Sequence, residues 1–199
     1  MPPALGGKHA WDKAIAVNSL QGQVLVASPD LVDPNFLRTV VLIVQHNEQG
    51  ALGLILNRRT QATLKQVWEQ VSPQPCDSEE YVHAGGPVEG PLMALHTSAE
   101  FGESEIVPGL FIGTNRDHLE RLVADNVQPL RMFAGYAGWG AGQLENEMQQ
   151  GSWHATPATS EMVFHADGDL WQTVFRQITS STLLSSLKIK HVPSDPRLN

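Results

Sequence analysis

Residues 39–57, TVVLIVQHNEQGALGLILN, place two apolar runs on either side of a short turn. The first run, 39–46, is β-branched and almost continuously apolar, a pattern strands show when both faces are covered. HNEQG, 46–50, supplies turn chemistry, and 51–57 answers with a second apolar run. The two are expected to pair as an antiparallel hairpin in the middle of a sheet. A chain of 199 residues built on such a hairpin is long enough for one domain with a sizeable core.

Other elements gather around it. QVLVA (23–27), EYVHA (80–84), LMALHT (92–97) and GLFIGT (109–114) read as strands, with a turn at Gly85-Gly86-Pro87. Thr63 and Gln66 form a capping box for a helix whose face is Leu64, Val67, Trp68 and Val71. A second helix starts near Asn115, with Thr114 and Asp117 suited to its first turn. PLRMFAGYAGW, 129–139, is expected to be a strand that breaks up in glycines, followed by a short helix QLENEMQQ and an extended or loop segment GSWHATP. HADGD, 165–169, reads as a turn before a helix over 170–178. The fold expected is α+β, one domain with a mixed sheet and flanking helices. Residues 1–21 read as a flexible leader, 22–178 as the domain and 179–199 as a loosely packed tail.

Charge narrows the function. Thirteen Lys and Arg against 21 Asp and Glu give a formal net charge of −8. Nucleic acid is held by concentrated positive charge, so broad DNA or RNA affinity is disfavoured, though a local basic patch is compatible. Cys76 is the only cysteine, which rules out an intramolecular disulfide. Its acidic neighbours in SPQPCDSEE disfavour a reactive thiolate and suit a loop cysteine. No signal-peptide pattern and no apolar run near the roughly 20 residues of a membrane helix are present, so a cytoplasmic protein is expected.

GYAGWGAGQLENE, 135–147, invites a phosphate-binding reading that its chemistry rejects. A P-loop needs Lys and Ser/Thr where Ala141 and Gly142 stand, and the spacing GxGxG is not the dinucleotide GxGxxG. Glu145 and Glu147 near the start of the helix would repel a phosphate. What remains is a glycine corner anchored by Tyr136 and Trp139, or a recognition surface of Tyr136, Trp139, Gln143 and Glu145. The strands of His83 and His96 are joined by a short connection that allows the two rings to face each other. Two imidazoles do not make a zinc site, and no HExxH, paired CxxC or GxSxG occurs. HADGD lacks the ligand run of a calcium loop. No cofactor and no metal are expected. Acid–base work by His96 with Asp117 or Glu145 stays open.

LVASPDLVDPNFLRTVVLIVQHNEQGALGLILN, HAGGPVEGPLMALHT, TNRDHLE, GYAGWGAGQLENE and GSWHATPA occur in this order, and together they resemble the YqgE/AlgH family of bacterial proteins. The resemblance runs from about Gly22 to Ile178. It implies a single α+β domain whose mixed sheet bifurcates and curls into a pseudo-barrel. It brings the label of transcriptional regulator, which rests on genetics, and no established catalytic residues. The matching positions are Asn57, Gly85-Gly86-Pro87, His96, Arg116-Asp117, Gly135-Tyr136-Ala137, Trp139, Gln143-Leu144-Glu145 and Trp153. Arg59 stands where a proline is usual, and Gly90-Pro91 replaces the common Arg-Gly.

The candidate recognition surface is therefore His96, Arg116, Asp117, Tyr136, Trp139, Gln143, Glu145 and Trp153. The function expected is a non-enzymatic regulatory module that binds a protein partner or a small polar ligand. The alternatives are a regulator contacting DNA directly and an enzyme using His96, Arg116, Asp117 or Glu145.

Overall fold

The computed structural model describes residues 19–164 and 169–186. Most of the leader, residues 165–168 of the turn HADGD, and the tail beyond 186 lie outside the described residues. Among the described residues ten strands and five helices follow one another as β1 (Gln23–Ala27), β2 (Val40–Asn47), β3 (Gly50–Ile55), β4 (Arg59–Thr63), α1 (Leu64–Val71), β5 (Tyr81–Ala84), β6 (Val88–His96), β7 (Ser104–Val107), β8 (Leu110–Gly113), α2 (Arg116–Ala124), β9 (Leu130–Gly140), α3 (Gln143–Gln149), β10 (Trp153–Pro157), α4 (Ser160–Phe164) and α5 (Leu170–Ser186). The α+β fold read from the sequence is the fold observed.

The hairpin of β2 and β3 lies inside the sheet, as its apolar runs require. Strand order is β10-β1-β2-β3-β9-β6-β8-β7, with β4 and β5 branching off beside β9. Alternate residues of the hairpin face two different cores. Val40, Leu42, Val44, Leu52 and Leu54 enter one, which α4 and α5 cover with Val163, Leu170 and Val174. Val41, Ile43, Ala51 and Ile55 enter the other with Trp139, Leu144 and Trp153. Covering on both faces is why no polar residue interrupts residues 40–44. A third core joins α1 and α2 to the sheet through Trp68, Val82, Leu122 and Met132.

The sheet forks along β9. Its second half pairs with β3, from Gly53↔Ala137 to Gly50↔Gly140. On the same edge, its first half pairs in parallel with β5, at His83↔Phe133 and Ala84↔Ala134. Its opposite edge carries β6. The sheet also curls until β7 returns to the start of β1, where Gly22 lies against Ile106 and Val107. This is the bifurcated half-barrel that the resemblance implied.

Two glycine motifs distant in sequence meet at the fork. A Cβ on Gly85 would sit 2.2 Å from the Gly135 carbonyl oxygen, and one on Gly86 would sit 2.2–2.3 Å from backbone atoms of Tyr136 and Ala137. Gly135 itself has φ +71°. Backbone here occupies the space that side chains take elsewhere.

Several boundaries differ from the sequence reading. The strand at 129–139 does not break up at its glycines, because Gly138 and Gly140 keep their pairing to β3. Of GSWHATP, read as extended or loop, residues Trp153–Pro157 are extended as a strand, since β1 offers them a full antiparallel register from Gln23↔Pro157 to Ala27↔Trp153. The last helix runs on to Ser186, past the expected end at 178. The short elements β4, β7 and α4 carry no periodicity that announces them. His83 and His96 do not face each other, because β9 lies between their strands.

Candidate functional site

Strands β5 and β9 pair only at 83–84 with 133–134. Below that point they leave a wedge-shaped cleft of about 350 Å³, lined by Arg59, Tyr81, His83, Gln128, Arg131 and Phe164 among others. Arg131 organises its floor. Nη2 donates to the Leu56 carbonyl (2.6 Å) and to His83 Nε2 (2.7 Å), and Nη1 donates to the Val163 carbonyl at the end of α4. Guanidinium nitrogens can only donate, so His83 accepts at Nε2 and carries its proton on Nδ1.

Burial lowers the His83 pKa from 6.5 to about 4, with Arg131 and then Arg59 acting in the same direction. The imidazole is therefore neutral at physiological pH. Its Nδ1 is buried beside the Tyr81 and Met132 backbone and makes no well-formed hydrogen bond. At the mouth the Arg59 guanidinium lies 3.7 Å from the centre of the Tyr81 ring, a cation–π contact. Asn57, a family motif position on the same wall, has its amide committed to the fold. It accepts from the Val40 N–H and donates to the Arg38 carbonyl.

The eight residues singled out from the sequence fall in separate places. Trp139 and Trp153 both donate their indole N–H to Glu147 Oε2, each at 2.9 Å, while Gln143 donates to Glu147 Oε1. Phe36 stacks on Trp139 and meets Trp153 edge-on, so the cluster is a packed core corner. Glu145 pairs with His46 Nε2 at 2.8 Å. Tyr136 is buried on the other face of β9, in the core that α4 and α5 cover.

His96 is wholly buried and stacks on Phe111. Burial lowers its pKa, against the smaller raising influence of the Ser98 backbone and Glu103. Arg116 and Asp117 are exposed on the first turn of α2, and Arg116 donates to Glu120 at 3.0 Å. That helix is capped by Asn115, while the Glu103 carboxylate accepts from the Thr114 and Asn115 backbone. Among the described residues no group of three or more His, Cys, Asp or Glu is placed to hold a metal ion.

His83, Arg59, Tyr81 and Arg131 were not among the residues selected by sequence. One signal pointed to them: Arg131 is the single charge in the apolar strand PLRMF, where a cation needs a partner. Glu147, four residues after Gln143 on one helix face, was likewise missed as a partner for the indoles.

A curled, forked α+β sheet with paired HAGGP and GYAGWG motifs defines a class, and the comparisons place the chain in it. The AlgH-like family model matches residues 24–182, and the chain belongs to that family. It is 43% identical to a UPF0301 protein of Chlorobaculum tepidum, covering 72% of this chain and 78% of that one. It is 39% identical to a UPF0301 protein of Myxococcus xanthus, over 80% and 91% of the two chains. Among solved structures, the AlgH protein of Pseudomonas aeruginosa superposes with a TM-score of 0.69 at 31% identity, covering 92% of this chain and all of that one. A Corynebacterium diphtheriae protein superposes with a TM-score of 0.67 at 26% identity, over 80% and 87%.

Proposed function

We propose that the protein is a cytoplasmic, non-enzymatic regulatory module that binds a small polar ligand in the cleft between β5 and β9. The observation that carries this reading is the cleft itself. Its volume of about 350 Å³ suits a small molecule, and its walls bring together guanidinium, imidazole, phenol and amide groups. These groups recognise polar ligands, and they form no nucleophile–base pair. Among the described lining residues the one imidazole is committed at Nε2 to Arg131, and Ser78 Oγ accepts from the Glu80 N–H. A soluble location fits the described helices, none of which is long and apolar enough to cross a membrane.

Direct docking on DNA finds less support. Both arginines of α2 are already in ion pairs, Arg116 with Glu120 and Arg121 with Asp125. The test is a screen of neutral and charged polar metabolites by melting temperature, with the NMR signals of Tyr81 and His83 as reporters. At least one compound is expected to raise the melting temperature and move the cleft signals. A screen in which no compound moves them overturns the reading.

A further inference from the structure

His96 stands apart from the cleft and carries a chemistry that the cleft does not use. It ends β6 between two paired strands, opposite Phe111 of β8 and Leu130 of β9. The side chain is wholly buried, and neither ring nitrogen makes a well-formed hydrogen bond. A buried imidazole in this state forfeits the bonds it makes in water, so the fold keeps it at a cost.

Gly113 shows where the ring points. A Cβ there would lie 3.3 Å from His96 Nε2, 3.5 Å from the Phe101 carbonyl oxygen and 3.9 Å from Glu103 Oε1. One ring nitrogen and two oxygen acceptors thus gather around a space that glycine leaves open. Among the described residues, the titratable groups that act on the ring are Glu103, on the segment entering β7, and His118, on α2. Phe111 and Leu130, its neighbours on β8 and β9, bring no charge.

The Glu103 carboxylate already has partners. Oε1 accepts from the Thr114 N–H at 2.7 Å and from the Asn115 N–H, and Oε2 accepts from Thr114 Oγ1 at 2.9 Å. These bonds hold the backbone of Asn115, whose side chain caps α2 by accepting from the Asp117 and His118 N–H groups. A proton taken from solvent onto the ring makes Nε2 a charged donor, which competes with the two amides for Oε1. His118, whose Nδ1 is also buried and unpartnered, opposes a charge on His96 from the α2 side.

We propose that His96 is an acid-responsive latch: once protonated, it draws Glu103 from the Thr114 and Asn115 amides and frees the first turn of α2, which carries the exposed Arg116 and Asp117.

The test is an NMR titration of the full chain from neutral pH downward, following the His96 ring and the protection of backbone amides against hydrogen exchange. Protection at Thr114 and Asn115 is expected to fall about tenfold or more, the loss of one charged hydrogen bond, with the same midpoint as the His96 ring and below pH 6.5. The amides of Leu42 and Ile43 in the central hairpin, which report global unfolding, are expected to stay protected through that midpoint. His96→Gln, which takes up no proton, is expected to hold the protection of Thr114 and Asn115 constant over the same range. Glu103→Gln, on an exposed position, gives a second reading if His96→Gln does not fold. Its amide oxygen still accepts from the two N–H groups but draws the imidazolium less, so their response is expected to shrink by about half or more while His96 still titrates. An imidazole that stays neutral until Leu42 and Ile43 also lose protection overturns the proposal. So does an unchanged response of Thr114 and Asn115 in either variant.

Discussion

His46 Nε2 stands 2.8 Å from Glu145 Oε1, and this bond ties β2 to α3 across 99 positions of sequence. The other ring nitrogen, Nδ1, accepts from the Leu20 N–H at 2.9 Å. An imidazole that accepts at Nδ1 carries its proton on Nε2, so the ring donates to the carboxylate. One buried histidine thus links the entry into β1, the central hairpin and the helix of the glycine corner. Glu145 was first considered as part of a recognition surface, and its structural partner is His46.

Removing that acceptor leaves the buried ring with an unpaired donor. Glu145→Ala is expected to cost about 1–2 kcal/mol in urea unfolding, and Glu145→Gln less, because the amide oxygen still accepts. Equal losses in the two variants would indicate that charge, not the hydrogen bond, carries the effect.

Glu147 holds two indoles at once, with Trp139 and Trp153 donating to the same oxygen. Glu147→Ala orphans both N–H groups in a packed corner. At about 1–3 kcal/mol for each unsatisfied buried donor, the total loss is expected to reach roughly 2–6 kcal/mol. Tryptophan fluorescence should shift with it. A variant as stable as the parent would show that solvent reaches both rings.

Gly86→Ala places a methyl group 2.2–2.3 Å from the backbone of Tyr136 and Ala137, where no rotamer change can relieve it. Destabilisation well beyond the roughly 1–3 kcal/mol of ordinary overpacking is expected, read as low soluble yield or a large drop in melting temperature. Gly109→Ala makes a useful comparison: its added Cβ meets nothing within 4 Å, although φ is +80°. It should cost far less.

Stability should fall as the pH is lowered through the histidine range. Burial lowers the pKa of both His83 and His96. The unfolded chain takes up a proton on His83 below about 6.5, and the folded chain resists until about 4, so folding loses free energy across that window. The His83 contribution is at most about 3.5 kcal/mol, at roughly 1.4 kcal/mol per pKa unit. His83→Gln should flatten the slope of unfolding free energy between pH 6.5 and 4. An unchanged slope would assign the acid sensitivity elsewhere.

The sequence by itself determined whatever depends on neighbours along the chain. The two-sided apolar runs at 40–44 and 50–55 require central strands. Thr63 and Gln66 close the capping box that starts α1, and Asn115 caps α2. These are local rules, satisfied within a few residues, and the ordered motifs carried the family with them. Tertiary structure decided what meets across the fork. A glycine in HAGGP gives no sign that its partner is Gly135, fifty positions later. Nor does Arg131 reveal that it will reach His83, Leu56 and Val163 together. The segment 129–139 read as a strand dissolving in glycines because glycine lacks intrinsic strand preference, whereas in the sheet β3, β5 and β6 supply the hydrogen bonds that hold it extended. The cleft exists only because β5 and β9 part after two paired residues. Such a divergence arises from the curl of the whole sheet and leaves no mark on any short stretch of sequence.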